Sequence, residues 1–171
     1  MDLPLLNPTI QQFIEDKIGI SVAKLALQKN PFPEVEWITI LNQIEAKTKA
    51  KEKLPTWFKT ANIIYPSKVS VEQTSSERTA EYKSRLIEGN SIIDLTGGFG
   101  VDDFYFAKKF KSITHCEINP DLSKIVKHNY DQLGITNIDC HPGDSTAVLQ
   151  KSLQKWDWMY IDPSRRNDLK G

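Results

Sequence analysis

One stretch constrains this chain more than any other: Asp94-Leu95-Thr96-Gly97-Gly98-Phe99-Gly100-Val101-Asp102, a glycine-dense turn that joins an apolar run to an amphipathic segment. Ser91 to Leu95 has the length and composition of a buried strand. From Val101 to Phe110, the residues Val101, Phe104, Phe106, Ala107 and Phe110 fall roughly on one side of a helix. Glycines between a strand and a helix allow the close backbone approach that a bound nucleotide cofactor demands. A tight turn with no ligand remains the alternative for this motif taken alone.

The pattern that follows sets the fold class. Strands are expected at 91–95, 112–117, 137–141 and 157–161, alternating with helices at 101–109, 120–133 and 144–154. Such alternation predicts an α/β domain with a parallel sheet and crossover helices, doubly wound in the Rossmann manner. Upstream, to about residue 65, the patterns are helical. Thr9 to Lys17 carries Ile10, Phe13, Ile14 and then Ile18, Ser21 to Gln28 carries Val22, Leu25 and Ala26, and Glu34 to Lys49 carries Ile38, Leu41 and Ile44. Pro4, Pro8, Pro31, Pro33 and Pro55 punctuate these segments. The expectation is a small helical N-terminal domain over 1–66 and a nucleotide-cofactor domain over 67–171, with the boundary at Tyr65-Pro66-Ser67. Lys68 to Glu72 reads as a short extended segment. Thr74 followed by Glu77 fits a capping box, which starts a helix near Ser75 that runs to about Ile87. A doubly wound domain usually has five or more strands, so the sequence reads as the front portion of a longer protein, ending one loop past its fourth strand. That strand would then present an unpaired edge prone to association. Little or no catalysis is expected of this piece by itself, and its oligomeric state stays open.

Composition narrows the partners. With 22 Lys plus Arg against 22 Asp plus Glu in 171 residues, there is no net field to draw in nucleic acid, so any such contact must be local. Lys47, Lys49, Lys51, Lys53 and Lys59 surround Trp57 and Phe58, which could suit phosphate and bases. Spacing by two spreads these lysines around a helix, and the solvated-face reading is preferred. Cys116 and Cys140 read as reduced core thiols of a cytoplasmic protein. His115, His128 and His141 show no metal-ligand spacing, and no apolar run approaches the ~20 residues that cross a membrane.

In a doubly wound sheet, ligands bind beyond the carboxyl ends of the strands, and four such positions are loaded. Thr96 to Gly100 would turn backbone amides toward a ligand. Glu117 lies about twenty residues past the glycines, where an acid can accept from ribose hydroxyls or simply favour the positive end of the next helix. Asn119-Pro120 fits an N-cap and first-turn proline. Asp144 could accept an adenine amine, cap its helix, or do both. Asp162-Pro163-Ser164-Arg165-Arg166 is a stiff loop aimed at the cleft, or an ordinary strand-ending turn.

In order and spacing these signals resemble class I S-adenosylmethionine-dependent methyltransferases over roughly residues 70 to 168. The resemblance implies that Asp94, Thr96, Gly97, Gly98 and Gly100 cradle the methionine part of the cofactor, Glu117 holds its ribose and Asp144 reads its adenine. It implies that Asp162, Pro163, Ser164 and Arg165 face the methyl acceptor. Gln73 and Ser76, at the start of the preceding helix, are further candidate cofactor contacts. More narrowly, the run from Glu72 to Glu77, the glycine loop and the Asp162 loop look like a group of bacterial methyltransferases that carry a THUMP-like RNA-binding tail, which implies an RNA substrate. Amino-group methyltransferases have a second proline and an aromatic where Ser164 and Arg165 stand. An acid-proline-x-arginine loop is closer to RNA uridine C5-methyltransferases, which also need a downstream cysteine. Arg165 and Arg166 would clamp phosphate or lie in solvent. Two other readings stand beside this one: a nicotinamide-dependent oxidoreductase, against which the G-x-G-x-x-G spacing is missing, and a non-catalytic RNA-binding module that keeps the fold.

Overall fold

Asn7 and Pro8 open the first α-helix of the chain. The Asn7 side chain accepts the Thr9 N–H at 2.9 Å, and Pro8 has no amide to satisfy. A computed structural model describes residues 4–163. Two compact units divide between Glu72 and Gln73.

The first unit is helical. After a short 3-10 turn at Pro4–Leu6 come α1 (Pro8–Asp16), α2 (Val22–Ala26), α3 (Trp37–Lys53), α4 (Pro55–Lys59) and α5 (Lys68–Gln73). Ile10, Ile14, Leu25, Ile40, Leu41, Ile44 and Trp57 are buried, whereas Ile38, expected on the same stripe, is 61% exposed. The apolar face of α3 is set by Ile40 rather than Ile38, one helical turn before Ile44. Gln43 anchors the chain after α4: its amide donates to the Tyr65 carbonyl at 2.6 Å, and its carbonyl accepts the Tyr65 N–H at 2.9 Å. The lysines do not form a free basic face. Lys47 is buried against Glu15, Lys49 lies 3.7 Å from the Glu72 carboxylate, Lys53 donates to the Glu72 carbonyl at 2.5 Å, and Trp57 is fully buried.

Residues 68–73 correct the extended segment expected there. Val69 and Val71 suggest a strand, but the Ser67 hydroxyl accepts the Ser70 N–H at 3.3 Å and the Ser67 carbonyl accepts the Val71 N–H at 3.2 Å, which starts a helix. The capping box is also replaced. Ser76, not Thr74, caps α6 (Glu77–Ser84), accepting the Thr79 N–H at 3.2 Å. Glu77 turns inward, where its carboxylate accepts the Tyr105 hydroxyl at 2.9 Å. The helix stops at Ser84, short of Ile87.

The second unit continues with β1 (Ser91–Asp94), α7 (Val101–Phe106), β2 (Ser112–Glu117), α8 (Pro120–Gln132), β3 (Ile138–Pro142), α9 (Ser145–Lys151) and β4 (Trp158–Tyr160). All pairings are parallel, in the order β3-β2-β1-β4. Ile92, Phe106, Phe110 and Ile113 form a core against one face, joined by Ile87, Ile138 and Tyr160.

Besides α6, three elements of the second unit are at least two residues shorter than their patterns: α7, α9 and β4. α7 closes at Phe106 because Asn137 donates to the Ala107 and Phe110 carbonyls, each at 2.9 Å, and holds the chain in a turn. α9 closes at Lys151, where Ser152 turns extended and its hydroxyl accepts the Gln154 N–H at 3.0 Å. Asp157 precedes β4 as an anchor: its carboxylate accepts the Asn90 and Ser91 N–H groups at 2.6 and 2.9 Å. β4 is an edge of the described sheet, with Trp158 42% and Met159 53% exposed.

Candidate functional site

The register places Tyr160, Asp94, His115 and Cys140 in one row across the sheet, just before the strands end. The glycine loop runs over this row. A Cβ on Gly97 would lie 2.2 Å from the His115 ring, so the loop can settle only where that residue has no side chain. Gly100 sits at φ 78, and a Cβ there would meet the Tyr130 hydroxyl at 2.0 Å. Tyr130 also donates to the Gly100 carbonyl at 2.9 Å. Gly98 differs from both: it has φ 54, and a Cβ there would find nothing nearer than the Thr96 carbonyl oxygen at 3.6 Å. The loop is therefore packed from below at Gly97 and Gly100 and open at Gly98.

Asp94 fixes the start of the loop by accepting the Thr96 N–H at 2.7 Å and the Thr96 hydroxyl at 3.1 Å. Its burial, then the nearby Asp103 carboxylate, push its pKa well above the usual carboxylate range. Glu117 closes the other side. One carboxylate oxygen accepts the Gly98 N–H at 2.9 Å, and the other accepts the Asn119 N–H at 2.7 Å. Each oxygen keeps a further lone pair for a ligand hydroxyl. Glu117 thus ties the glycine loop to the start of α8, where Asn119 accepts from Asp121 and Leu122 at 3.0 and 3.2 Å.

Beneath the loop lies a pair absent from the sequence reading. His115 Nδ1 and Asp103 Oδ2 are 2.7 Å apart, with both side chains fully buried. Burial favours the neutral form of each, raising Asp103 and lowering His115. His115 Nε2 and Asp103 Oδ1 have no hydrogen-bond partner among the described residues.

A second cluster forms where α6, α7 and β4 meet. Lys83 Nζ has three N–H groups to share among four oxygens around it: Asp162 at 2.8 Å, Asp102 at 3.2 Å, the Tyr160 hydroxyl at 2.6 Å and the Ser75 hydroxyl at 3.0 Å. The Tyr160 hydroxyl lies 3.1 and 3.2 Å from the same oxygens of Asp102 and Asp162, with one proton to donate between them, and its pKa is raised by burial and by the two acids. Burial alone works against the Lys83 ammonium, but Asp162 and Asp102 together carry its pKa above the ordinary lysine value. The Asp162 N–H donates to the Thr96 hydroxyl at 2.7 Å, which joins the acid-proline loop to the glycine loop.

The structure therefore brings Asp94, Thr96, Gly97, Gly98, Gly100, Glu117 and Asp162 to one end of the sheet. Pro163 follows, exposed, and Ser164 and Arg165 lie outside the described residues. Asp144 caps α9, accepting the Thr146 N–H at 2.8 Å, and this bond holds its pKa low. It also lines a cavity of about 450 Å³ with Thr114, His141, Lys151 and Trp156. That cavity lies beside α9, and neither the glycine loop nor Glu117 lines it. Ser76 caps α6, and its neighbour Ser75 is the residue that reaches the acids, donating to Asp102 at 3.0 Å. Gln73 ends α5 with its side chain exposed. Cys116 is buried and Cys140 half-buried, both as free thiols. No described helix is long and apolar enough to cross a membrane.

No family model matches the chain, and no curated protein does. Among solved structures, a Porphyromonas gingivalis W83 protein provisionally described as a methyltransferase matches 97% of this chain, with 30% identity and a TM-score of 0.79. The chain spans 42% of that protein's length. This is a Rossmann-like methyltransferase fold. An O-methyltransferase from Bacillus cereus, solved in complex with SAH, shares the fold at 14% identity and a TM-score of 0.52, over 88% of this chain and 63% of its own. In this methyltransferase fold the glycine loop, Glu117 and Asp162 all stand at the carboxyl end of the sheet, the end where open α/β sheets take their ligands.

Proposed function

We propose that the chain carries the cofactor site of an S-adenosylmethionine-dependent methyltransferase whose acceptor is a base in RNA. The observation that carries this reading is the Gly98–Glu117 contact. An open glycine donates its N–H to an acid at the end of the neighbouring strand, so cradle and ribose acceptor form one unit. The residues fit the group: the loop has room at Gly98, and Glu117 retains acceptor capacity. Thr96, Gly97, Gly98 and Gly100 would hold its methionine end, Glu117 its ribose and Asp144 its adenine. Bound S-adenosylmethionine supplies an electrophilic methyl group on a sulfonium.

The chain's own contribution is position. An in-line displacement is accelerated chiefly by holding the two reacting atoms in attack geometry. Asp162 stands at the mouth of the loop, fixed through its backbone to Thr96, and offers a carboxylate to an N–H of the acceptor. An RNA acceptor is supported by the acid-proline loop and by the likeness of this segment to RNA methyltransferases.

Calorimetric titration with S-adenosylhomocysteine, run beside NADH, tests the reading. Saturable binding of the first alone is expected, weakened about tenfold or more in Glu117→Ala, which is at least ~1.4 kcal/mol. Binding of NADH alone would transfer the site to an oxidoreductase. Transfer of tritium from labelled S-adenosylmethionine to total RNA by a protein that carries this chain tests the acceptor, and labelling of protein instead would refute it.

A further inference from the structure

We propose that Lys83 is a positioning residue for the proposed methyl transfer: it holds one oxygen of the Asp162 carboxylate and leaves the other presented to the acceptor. The proposal rests on the methyltransferase reading, and it names a residue that no motif marks.

The geometry is specific. Lys83 and the Tyr160 hydroxyl both bind Asp162 Oδ2, at 2.8 and 3.2 Å, and no described residue donates to Oδ1. The Asp162 side chain is 53% exposed while that of Lys83 is 26% exposed, so the carboxylate is open to solvent and is held from its more buried side. The short bond from an ammonium held on its other sides restricts the carboxylate's rotation about its last bond, and the single Tyr160 proton, shared with Asp102, adds to that hold when it turns to Asp162. Lys83 is itself held on several sides. It reaches across from α6, with Asp102 at the start of α7, Ser75 before α6 and the Tyr160 hydroxyl around its ammonium.

The cluster contains two carboxylates, Asp102 and Asp162, and one ammonium. A carboxylate next to a donated hydrogen bond from an ammonium stays ionised at neutral pH, and the hydrogen bond from Lys83 holds Asp162 below the ordinary carboxylate range. Asp162 is then an acceptor of hydrogen bonds and a weak base. The acceptor class that suits it is a nitrogen nucleophile that keeps its N–H until the methyl group has arrived. An alcohol or thiol, which must lose its proton to attack, would need a stronger base than this one.

The test uses the 171-residue chain with carboxyl-labelled aspartate. The Asp162 resonance, assigned by Asp162→Asn, is titrated by NMR in wild type, Lys83→Met, Lys83→Arg and Tyr160→Phe, and S-adenosylhomocysteine affinity is measured for each. Lys83→Met is expected to raise the Asp162 midpoint, Lys83→Arg to restore it, and affinity to change less than threefold. Tyr160→Phe, which removes one donor and keeps the ring, raises the midpoint by less and decides the matter should Lys83→Met not fold. An Asp162 midpoint indifferent to both substitutions overturns the proposal. So does a tenfold loss of affinity in Lys83→Met, which would make Lys83 a cofactor ligand instead. A wild-type chain that binds no S-adenosylhomocysteine overturns the methyltransferase reading, while the titration still decides the coupling of Lys83 to Asp162.

Discussion

Gly98 and Gly100 are two residues apart, both in left-handed backbone, and have opposite surroundings. At Gly100 a methyl group would strike the Tyr130 hydroxyl, an immobile target because Tyr130 is buried and bonded to the Gly100 carbonyl. Gly100→Ala therefore combines left-handed strain with overpacking, about 2–4 kcal/mol in all. A domain of this size should lose very roughly 5–15 °C in Tm. At Gly98 the methyl group enters open space, so Gly98→Ala costs about 1 kcal/mol of backbone strain and little else. Its effect should appear in S-adenosylhomocysteine affinity, because the added atom occupies the open face of the loop. Thermal melts and calorimetry on the pair check this, and equal Tm losses would refute the distinction. The glycine run was legible in the sequence as a turn, but which glycine is packed and which is open depends on His115 and Tyr130, which come from two later elements.

At the scale of elements, α8 is held at its start by Asn119, whose side chain accepts two N–H groups and whose own N–H is bound by Glu117. Asn119→Ala removes the cap and should cost about 1 kcal/mol. Its backbone N–H remains, so Glu117 keeps both partners. Urea denaturation should show the loss while S-adenosylhomocysteine affinity stays within twofold, and a large loss of affinity would mean that the cap also orients Glu117. This cap was readable because Asn-Pro is a local signal. The alternation of strands and helices was readable for the same reason, since each crossover unit carries its own periodicity. Residues 68–73 were misread because two valines outweighed a Ser67 cap whose bonds become visible only in the fold. The Lys83 cluster was missed for a different cause. Asp162 stands in a marked loop and Asp102 closes the glycine run, but Ser75, Lys83 and Tyr160, which join the two, come from other stretches and look like ordinary capping, surface and strand residues where they stand. Beside the Asp162 loop, a hint was that Asp102 and Asp103 crowd the first turn of the helix after the glycines.

For the whole molecule, the buried acids under the glycine loop set a pH dependence of stability. Asp103 is fully buried, and burial, then the Asp102 charge, raise its folded pKa well above 3.8. Below about pH 4 the group is protonated in both the folded and unfolded states and carries no penalty. Above that the unfolded chain releases the proton while the folded one retains it, so stability falls as pH rises, until the folded pKa is passed. Asp94 acts in the same direction, through burial and then the Asp103 charge. His115 acts oppositely: burial lowers its pKa, so its contribution is complete above about pH 6.5 and is lost as pH falls from there toward its folded pKa. Asp103→Asn removes the ionisable group and keeps a polar side chain of the same shape beside His115 Nδ1. The wild type's stability relative to Asp103→Asn should therefore be greatest near pH 4 and decline toward neutral and alkaline pH. Urea midpoints for both proteins across this range, at unchanged m, give the comparison. A difference that stays flat, or grows with pH, would mean that Asp103 ionises freely in the folded state. The carboxylate would then be stabilised where it sits, and the loop would rest on a charged His115–Asp103 pair.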